Sequence, residues 1–147
     1  MSLEGYEQLK LENQLCFPLY AAAKETVRKY KPFLDELDLT YTQYIAMTVL
    51  WEKESLNVKE LGSTLYLDSG TLTPLLKKLE AKGYITRERC KEDERNLIIS
   101  ITERGDALKE KAANIPQQMI DKWINISSDE VKVMYHALYK LLSQTQQ

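Results

Sequence analysis

Two cysteines and one histidine are the side chains of this sequence best suited to metal or covalent chemistry. Cys16, Cys90 and His136 lie far apart, so they lack the spacing of a zinc site. Two thiols also make a poor disulfide framework. The sequence contains neither a glycine-rich phosphate loop nor a Gly-x-Ser-x-Gly turn. It therefore gives little support to a conventional enzyme, and it implies no cofactor or metal.

A cysteine can instead act as a redox switch. The thiolate is the form that attacks a peroxide, and the first product is a sulfenic acid. Tyr20 follows Cys16 by four residues, so the two side chains would share one face of a helix. An inert, buried thiol is the other reading of an isolated cysteine. The residues alone leave both open for Cys16.

Charge is distributed unevenly along the chain. The 147 residues carry a formal net charge of −2, yet the stretch from Ser69 to Lys91 has six basic and two acidic residues. DNA phosphates respond to local charge, so an acidic protein with one basic segment can still bind DNA. Hydrophobic residues make up 44% and charged residues 29% of the chain, as expected for a folded domain.

The N-terminal part predicts a helix over about residues 10–31. Pro18 is expected to kink or fray its first half, and Pro32 to mark its end. Its apolar stripe has a spacing of four residues and consists of Leu11, Leu15, Leu19, Ala23 and Val27.

Capping residues predict where the later helices begin. Thr40 and Ser127 each open a capping box, and Asn57 and Thr102 are single caps. The apolar positions 72, 75, 76 and 79 predict an amphipathic helix that Gly83 ends. Pro74 is tolerated only in a first turn, so this helix is expected to start as late as Thr71.

The order of the elements predicts a mainly α fold with a small β-hairpin, namely a winged helix-turn-helix. Residues 84–87 and 97–101 are β-rich and flank the charged stretch 91–96, which would form the tip of the wing. The second helix of the motif would enter a major groove. Arg95 at the tip could enter a minor groove. Asp93 and Glu94 would repel phosphate unless one of them orients Arg95 through an ion pair.

Two segments resemble a known family. Residues 65–80, LYLDSGTLTPLLKKLE, followed by Gly83–Arg87 and Asp93–Arg95, resemble the recognition region and wing of the MarR family of bacterial repressors. Residues 11–17, LENQLCF, with Leu19–Ala21, are similar to its organic-hydroperoxide sensors, the OhrR branch. The resemblance covers nearly the whole chain.

The resemblance implies a homodimer that binds an inverted-repeat operator on double-stranded DNA. Residues of about 35–101 would form the DNA-binding core, with dimerisation helices at about 8–32 and 102–147. Tyr20 and Tyr30 would surround Cys16, one of them from across the dimer interface. The residues expected at the DNA are Ser69, Thr71, Thr73, Pro74, Lys77, Lys78, Asp93 and Arg95.

In sensors of this kind with one reactive cysteine, the sulfenic acid forms a mixed disulfide with a small cellular thiol or is oxidised further. Residues 102–147 contain no cysteine, which favours this one-cysteine route over a resolving cysteine. Two residues depart from the family pattern. Cys90 stands where a serine is usual, and Pro18 lies two residues from Cys16.

Three alternatives remain open at the level of sequence. The regulator could answer another oxidant or a small aromatic acid, the chain could be a thiol peroxidase with Cys16 as nucleophile, or it could be a dimerisation module only. No apolar stretch is long enough to span a bilayer, and the polar N-terminus does not resemble a signal peptide. A cytoplasmic protein is therefore expected.

Overall fold

The computed structural model describes residues 1–93 and 96–145. Two short 3-10 turns, Glu7–Leu9 and Leu11–Asn13, precede the first α-helix. The helices are α1 (Cys16–Asp35), α2 (Tyr41–Lys53), α3 (Val58–Leu65), α4 (Ser69–Ala81), α5 (Glu103–Ala112), α6 (Ile115–Lys122) and α7 (Ser128–Leu142). The strands are β1 (Ser55–Asn57), β2 (Ile85–Arg89) and β3 (Leu97–Ile101).

The predicted capping residues are confirmed. The Thr40 hydroxyl accepts from Gln43 N at 3.3 Å, and the Gln43 side chain accepts from Thr40 N at 2.9 Å. Ser127 forms the same reciprocal pair with Glu130. Asn57 caps α3 and Thr102 caps α5. A cap depends on residues within one turn of each other, so local sequence is enough to locate it.

The first helix begins and ends later than the sequence predicts. Its first residue is Cys16 and its last is Asp35, so the predicted span of residues 10–31 is wrong at both ends. Pro18 is the third residue of α1, where a missing N–H leaves no helical hydrogen bond unmade. Pro32 lies inside the helix rather than at its end, and it removes only the hydrogen bond to the Arg28 carbonyl.

The predicted late start of α4 is also wrong. Asp68 is the N-cap and Ser69 the first helical residue, which places Pro74 inside the helix. Proline cannot donate to the carbonyl four residues earlier, and here that residue is the exposed Gly70, whose carbonyl water can reach. Gly83 ends the helix as predicted, with φ of 79° and the N–H of Tyr84 donating to Leu79 O at 3.1 Å.

The predicted hairpin is part of a three-stranded antiparallel sheet in the order β1-β3-β2. Thr86 of β2 pairs with Ser100 of β3, which also pairs with Ser55 of β1. The sequence does not predict β1. Three residues are too few to show a period of two, and their partners lie more than forty positions away.

One core joins the helix-turn-helix to α5 and α6. Its buried apolar residues run from Leu34 to Met119. At Gly105, helix α5 approaches the backbone of Tyr84 so closely that a Cβ on this residue would overlap the Tyr84 carbonyl oxygen. The Trp51 indole N–H donates to Gly105 O at 2.9 Å, so α2, α5 and the base of the wing meet at this glycine.

Candidate DNA interface and redox site

The turn between α3 and α4 places the N-terminus of α4 at the surface. The Asp68 carboxylate accepts from Thr71 N at 2.8 Å, and this hydrogen bond is the main cause that lowers the pKa of Asp68. Leu67 N donates to Gly62 O at 3.0 Å. These contacts fix the direction in which α4 leaves the turn.

The predicted DNA-contacting residues of α4 lie on its exposed side. Leu72, Leu75, Leu76 and Leu79 are buried, which turns the rest of the helix outwards. The residues that are exposed are Ser69, Thr71, Thr73, Pro74, Lys77 and Lys78. Hydroxyl groups and ammonium groups on one projecting helix can reach base edges and phosphates together.

Ion pairs hold two of the basic residues of this region against the protein. Arg87 contacts Glu80 at 3.0 Å and ties β2 to α4. Lys82 contacts the Asp38 carboxylate at 3.2 Å. Among the residues that the structure describes, Lys77 and Lys78 make no ion pair. These two lysines are therefore the charges of α4 available to phosphate.

The wing is closed by short-range hydrogen bonds. Cys90 N donates to Asn96 O at 2.8 Å, and Asn96 N donates to Asp93 O at 2.9 Å. Asp93 is exposed, in agreement with a place at the tip. Arg95 lies outside the described residues, as does Glu94, so their predicted parts in the wing stay predictions.

Cys16 is a free, exposed thiol at the first residue of α1. The N–H groups of a first helical turn have no partner within the helix, and they favour an anion placed near them. Tyr20 lies one turn further along α1 and is 64% exposed. The side chains around both residues are apolar and exposed as well: Leu15 at 79%, Phe17 at 45% and Leu19 at 40%.

Tyr30 lies elsewhere in the same chain. It lies fourteen positions after Cys16 in one continuous helix, about 21 Å along the axis. Its ring centroid is 5.0 Å from that of Tyr41 and 5.6 Å from that of Tyr44. Burial, followed by the neighbouring Tyr44 and Tyr41, raises the pKa of Tyr30 to about 12. Within one chain, the structure therefore places Tyr20 one helical turn from Cys16 and Tyr30 far from both.

Tyr41 and Tyr44 are side chains of this region that the sequence reasoning did not single out. Both are on α2, and Tyr44 also packs against Trp51 with ring centroids 6.3 Å apart. The spacing of Tyr41, Tyr44 and Trp51 suits one helix face, but only the packing of α1 on α2 reveals Tyr30 as their neighbour.

These features together define a winged-helix DNA-binding protein with an accessible thiol. The model of the transcriptional regulator SarA/Rot family matches residues 28–112. The chain is 51% identical over 142 residues to the organic hydroperoxide resistance transcriptional regulator of Bacillus subtilis, covering 97% of this chain and 96% of that protein.

Solved structures give the same picture. Reduced AbfR bound to DNA superposes with a TM-score of 0.79 at 33% identity, covering 96% of this chain and 98% of that one. A mutant MarR from E. coli in complex with operator DNA gives 0.77 at 25%, covering 87% and 93%. Overoxidised AbfR, also bound to DNA, gives 0.78 at 34%, covering 95% and 97%. The chain belongs to the MarR and SarA family of transcriptional regulators, and its predicted resemblance to the organic-hydroperoxide branch is confirmed.

Within residues 1–93 and 96–145, no group of three or more possible ligands is placed to hold a metal ion. In the same ranges, no helix is long and apolar enough to cross a membrane.

Proposed function

We propose that this DNA-binding regulator is a dimeric repressor that senses organic hydroperoxides through Cys16 and then releases its operator. The observation that carries the proposal is the exposed Cys16 thiol at the start of α1, with Tyr20 one turn away. The similarity to a regulator of organic hydroperoxide resistance supports the choice of signal.

The distribution of exposed apolar side chains supports a dimer. In a single chain, most large hydrophobic residues outside the core lie on the N-terminal segment and on the last two helices. They include Leu9, Leu11, Leu15, Phe17, Leu19, Tyr20, Val27, Ile120, Val131, Val133, Met134, Tyr135, Tyr139 and Leu141. Surfaces of this kind are normally covered by a partner. They coincide with the segments 8–32 and 102–147 to which we assign dimerisation, on either side of a DNA-binding core at 35–101.

A two-fold dimer presents two copies of α4, one for each half of an inverted repeat. Ser69, Thr71, Thr73 and Pro74 would contact the major groove, and Lys77 and Lys78 the phosphates. Asp93 and Arg95 would act from the wing.

Oxidation follows from the chemistry of a thiolate. The Cys16 sulfur attacks the terminal oxygen of the hydroperoxide, the O–O bond breaks, and the leaving alkoxide takes a proton to become the alcohol. The sulfur is oxidised to a sulfenic acid and the peroxide is reduced. Tyr20 would donate a hydrogen bond within the subunit. Tyr30 of the partner subunit, which is held protonated by its raised pKa, would donate another across the dimer.

Release of DNA then requires a larger change at Cys16. A small cellular thiol can attack the sulfenic sulfur, which forms a mixed disulfide and expels water. Further oxidation to the sulfinic acid is the other outcome. Overoxidised AbfR is found bound to DNA, which favours the bulkier thiol adduct as the species that moves the dimer helices.

The test uses a Cys16→Ser variant and a Cys90→Ser control. DNA selected by the reduced wild-type protein from a random pool is titrated before and after treatment with cumene hydroperoxide and a small thiol. We expect the wild type and Cys90→Ser to lose the DNA and Cys16→Ser to keep it. If the peroxide also makes the Cys16→Ser variant release its DNA, the proposal is overturned.

The same titration distinguishes the alternative signals. Hydrogen peroxide and hypochlorite are compared with the organic hydroperoxide, and the oxidant that releases DNA at the lowest dose identifies the class of signal. Peroxide consumption is measured in parallel, because a sensor reacts about once per thiol whereas a thiol peroxidase turns over repeatedly.

A further inference from the structure

Tyr66 stands out in the turn that precedes α4. Between Val27 and Ile120 it is the one large apolar side chain that is exposed, within the part of the chain that the structure describes. Its backbone is left-handed, with φ of 55° and ψ of 39°. A tyrosine in this conformation costs roughly 1 kcal/mol relative to glycine. A tyrosine that is both exposed and strained suggests a functional role for its side chain.

The rest of the turn has little freedom to move. Leu67 N donates to Gly62 O, and a Cβ on Gly62 would lie 2.9 Å from Leu67 O and 3.0 Å from the Leu72 side chain. The turn is therefore packed tightly on α3 from one side. Tyr66 itself lines an open cleft beside this turn.

The end of α7 borders the same cleft. This cleft of about 850 Å³ is lined both by Tyr66 and by Thr145, three residues after α7. Thr145 is held to the helix end, because its hydroxyl donates to Leu142 O at 2.7 Å. The rings of Tyr135 and Tyr139 lie 4.7 Å apart on α7. The pKa of Tyr139 is raised, mainly by its hydrogen bond with Tyr135, and Tyr66 adds a smaller contribution.

We propose that Tyr66 is a positioning residue for DNA binding, through which α7 holds the turn that aims α4. Helix α7 is anchored to the core by little of its own surface, since none of its residues is buried. A change in the position of α7 would therefore reach α4 through Tyr66. This inference rests on DNA binding through α4 and is independent of the response of Cys16 to peroxide.

The test compares Tyr66→Asn, Tyr139→Ala and the double variant. Asparagine tolerates the left-handed backbone and removes the ring, so the thermal midpoint should change little. We expect each single variant to bind the selected DNA about five- to tenfold more weakly, within the usual range of allosteric coupling. The double variant should bind DNA no more weakly than either single variant, because the effects of two substitutions in one pathway are not additive.

Two controls complete the design. Glu54→Asn changes the left-handed residue that caps α2, at a place far from α7 in the sequence, and should bind like the wild type. In Tyr66→Asn, a tyrosinate absorbance titration should show a lower pKa for Tyr139, because the contribution of Tyr66 is removed; this checks that the two side chains are close. Sedimentation checks that each variant keeps the oligomeric state of the wild type.

Wild-type affinity of Tyr139→Ala overturns the inference, whatever Tyr66→Asn does. Strictly additive losses in the double variant overturn it as well. A Lys77→Ala variant separates this failure from a failure of the DNA-binding assignment. If α4 binds DNA, Lys77→Ala has a lower affinity and a salt dependence that is less steep by about one unit.

Discussion

Tyr30 belongs to a row of aromatic side chains that packs α1 against α2. The row continues through Tyr41 and Tyr44 to Trp51. Burial keeps the phenol of Tyr30 neutral far above physiological pH, so it remains a hydrogen-bond donor. A residue proposed for the redox site is thus also part of the packing between two helices.

Tyr30→Phe should flatten the loss of stability at high pH. As pH rises from about 10, the unfolded chain loses the Tyr30 proton while the folded chain holds it until about 12. The free energy of unfolding therefore falls across this interval, and the variant lacks the contribution of Tyr30. Denaturant unfolding at several pH values measures the free energy of unfolding of both proteins. In a matched Tyr44→Phe variant, the pKa of Tyr30 should be lower, because its second cause is removed; an unchanged pH dependence in Tyr30→Phe would contradict this account.

At the scale of elements, α4 combines two demands that conflict. Its buried leucines and its caps favour a regular helix, whereas Pro74 interrupts the hydrogen bonding of its exposed side. A proline in a helix interior is unfavourable by about 3 kcal/mol. The cost near an exposed N-terminus is smaller. Because Pro74 still does not favour the helix, we expect its ring to serve DNA binding rather than stability.

Pro74→Ala should therefore raise stability and weaken DNA binding. The new N–H can donate to the Gly70 carbonyl, and a gain of about 1 kcal/mol would raise the thermal midpoint by about 2–4 °C. The loss of the ring from the exposed face should lower affinity for the selected DNA several-fold. Calorimetry measures the midpoint and fluorescence anisotropy the affinity, with Lys77→Ala as a control that weakens binding and changes the midpoint little. An unchanged affinity in Pro74→Ala would show that the ring does not contact DNA.

The sequence predicts those elements whose signals are local. The caps at Thr40, Asn57, Thr102 and Ser127, the buried face of α4 and the wing all follow from residues a few positions apart. Strand β1 and the neighbours of Tyr30 do not, because tertiary pairing and helix packing create them. Pro32 and Pro74 misled the prediction of helix ends, since a proline costs little where water can reach the freed carbonyl.

At the scale of the whole molecule, exposed apolar side chains are distributed unevenly between the DNA-binding core and the terminal segments. The described part of the DNA-binding core exposes few large hydrophobic side chains, whereas the N-terminal segment and α7 expose many. On the proposed function, Cys16 lies on the surface to which we assign dimerisation, where one added group would change the arrangement of the subunits. The location of Cys16 on this surface is thus as important to the proposal as its reactivity.

Met134→Lys should dissociate the proposed dimer. Met134 is 48% exposed on α7 in the single chain, so the change leaves the core intact. A two-fold dimer loses the buried side chain twice, at about 2 kcal/mol each, and its dissociation constant should rise roughly a thousandfold. Analytical ultracentrifugation measures this, and Lys132→Met, two residues away, serves as the control. A Met134→Lys chain that remains dimeric at the wild-type concentration would refute this assignment of α7.

The close approach at Gly105 bears on how such regulators exchange parts. Because the first turn of α5 packs directly against the backbone of Tyr84, the wing and that turn form one packed unit. We therefore expect a wing grafted from a relative to keep its packing when the crossovers lie before Tyr84 and after Gly105. A crossover within this unit would combine a wing base and an α5 turn from different proteins, whose packing at Gly105 need not match.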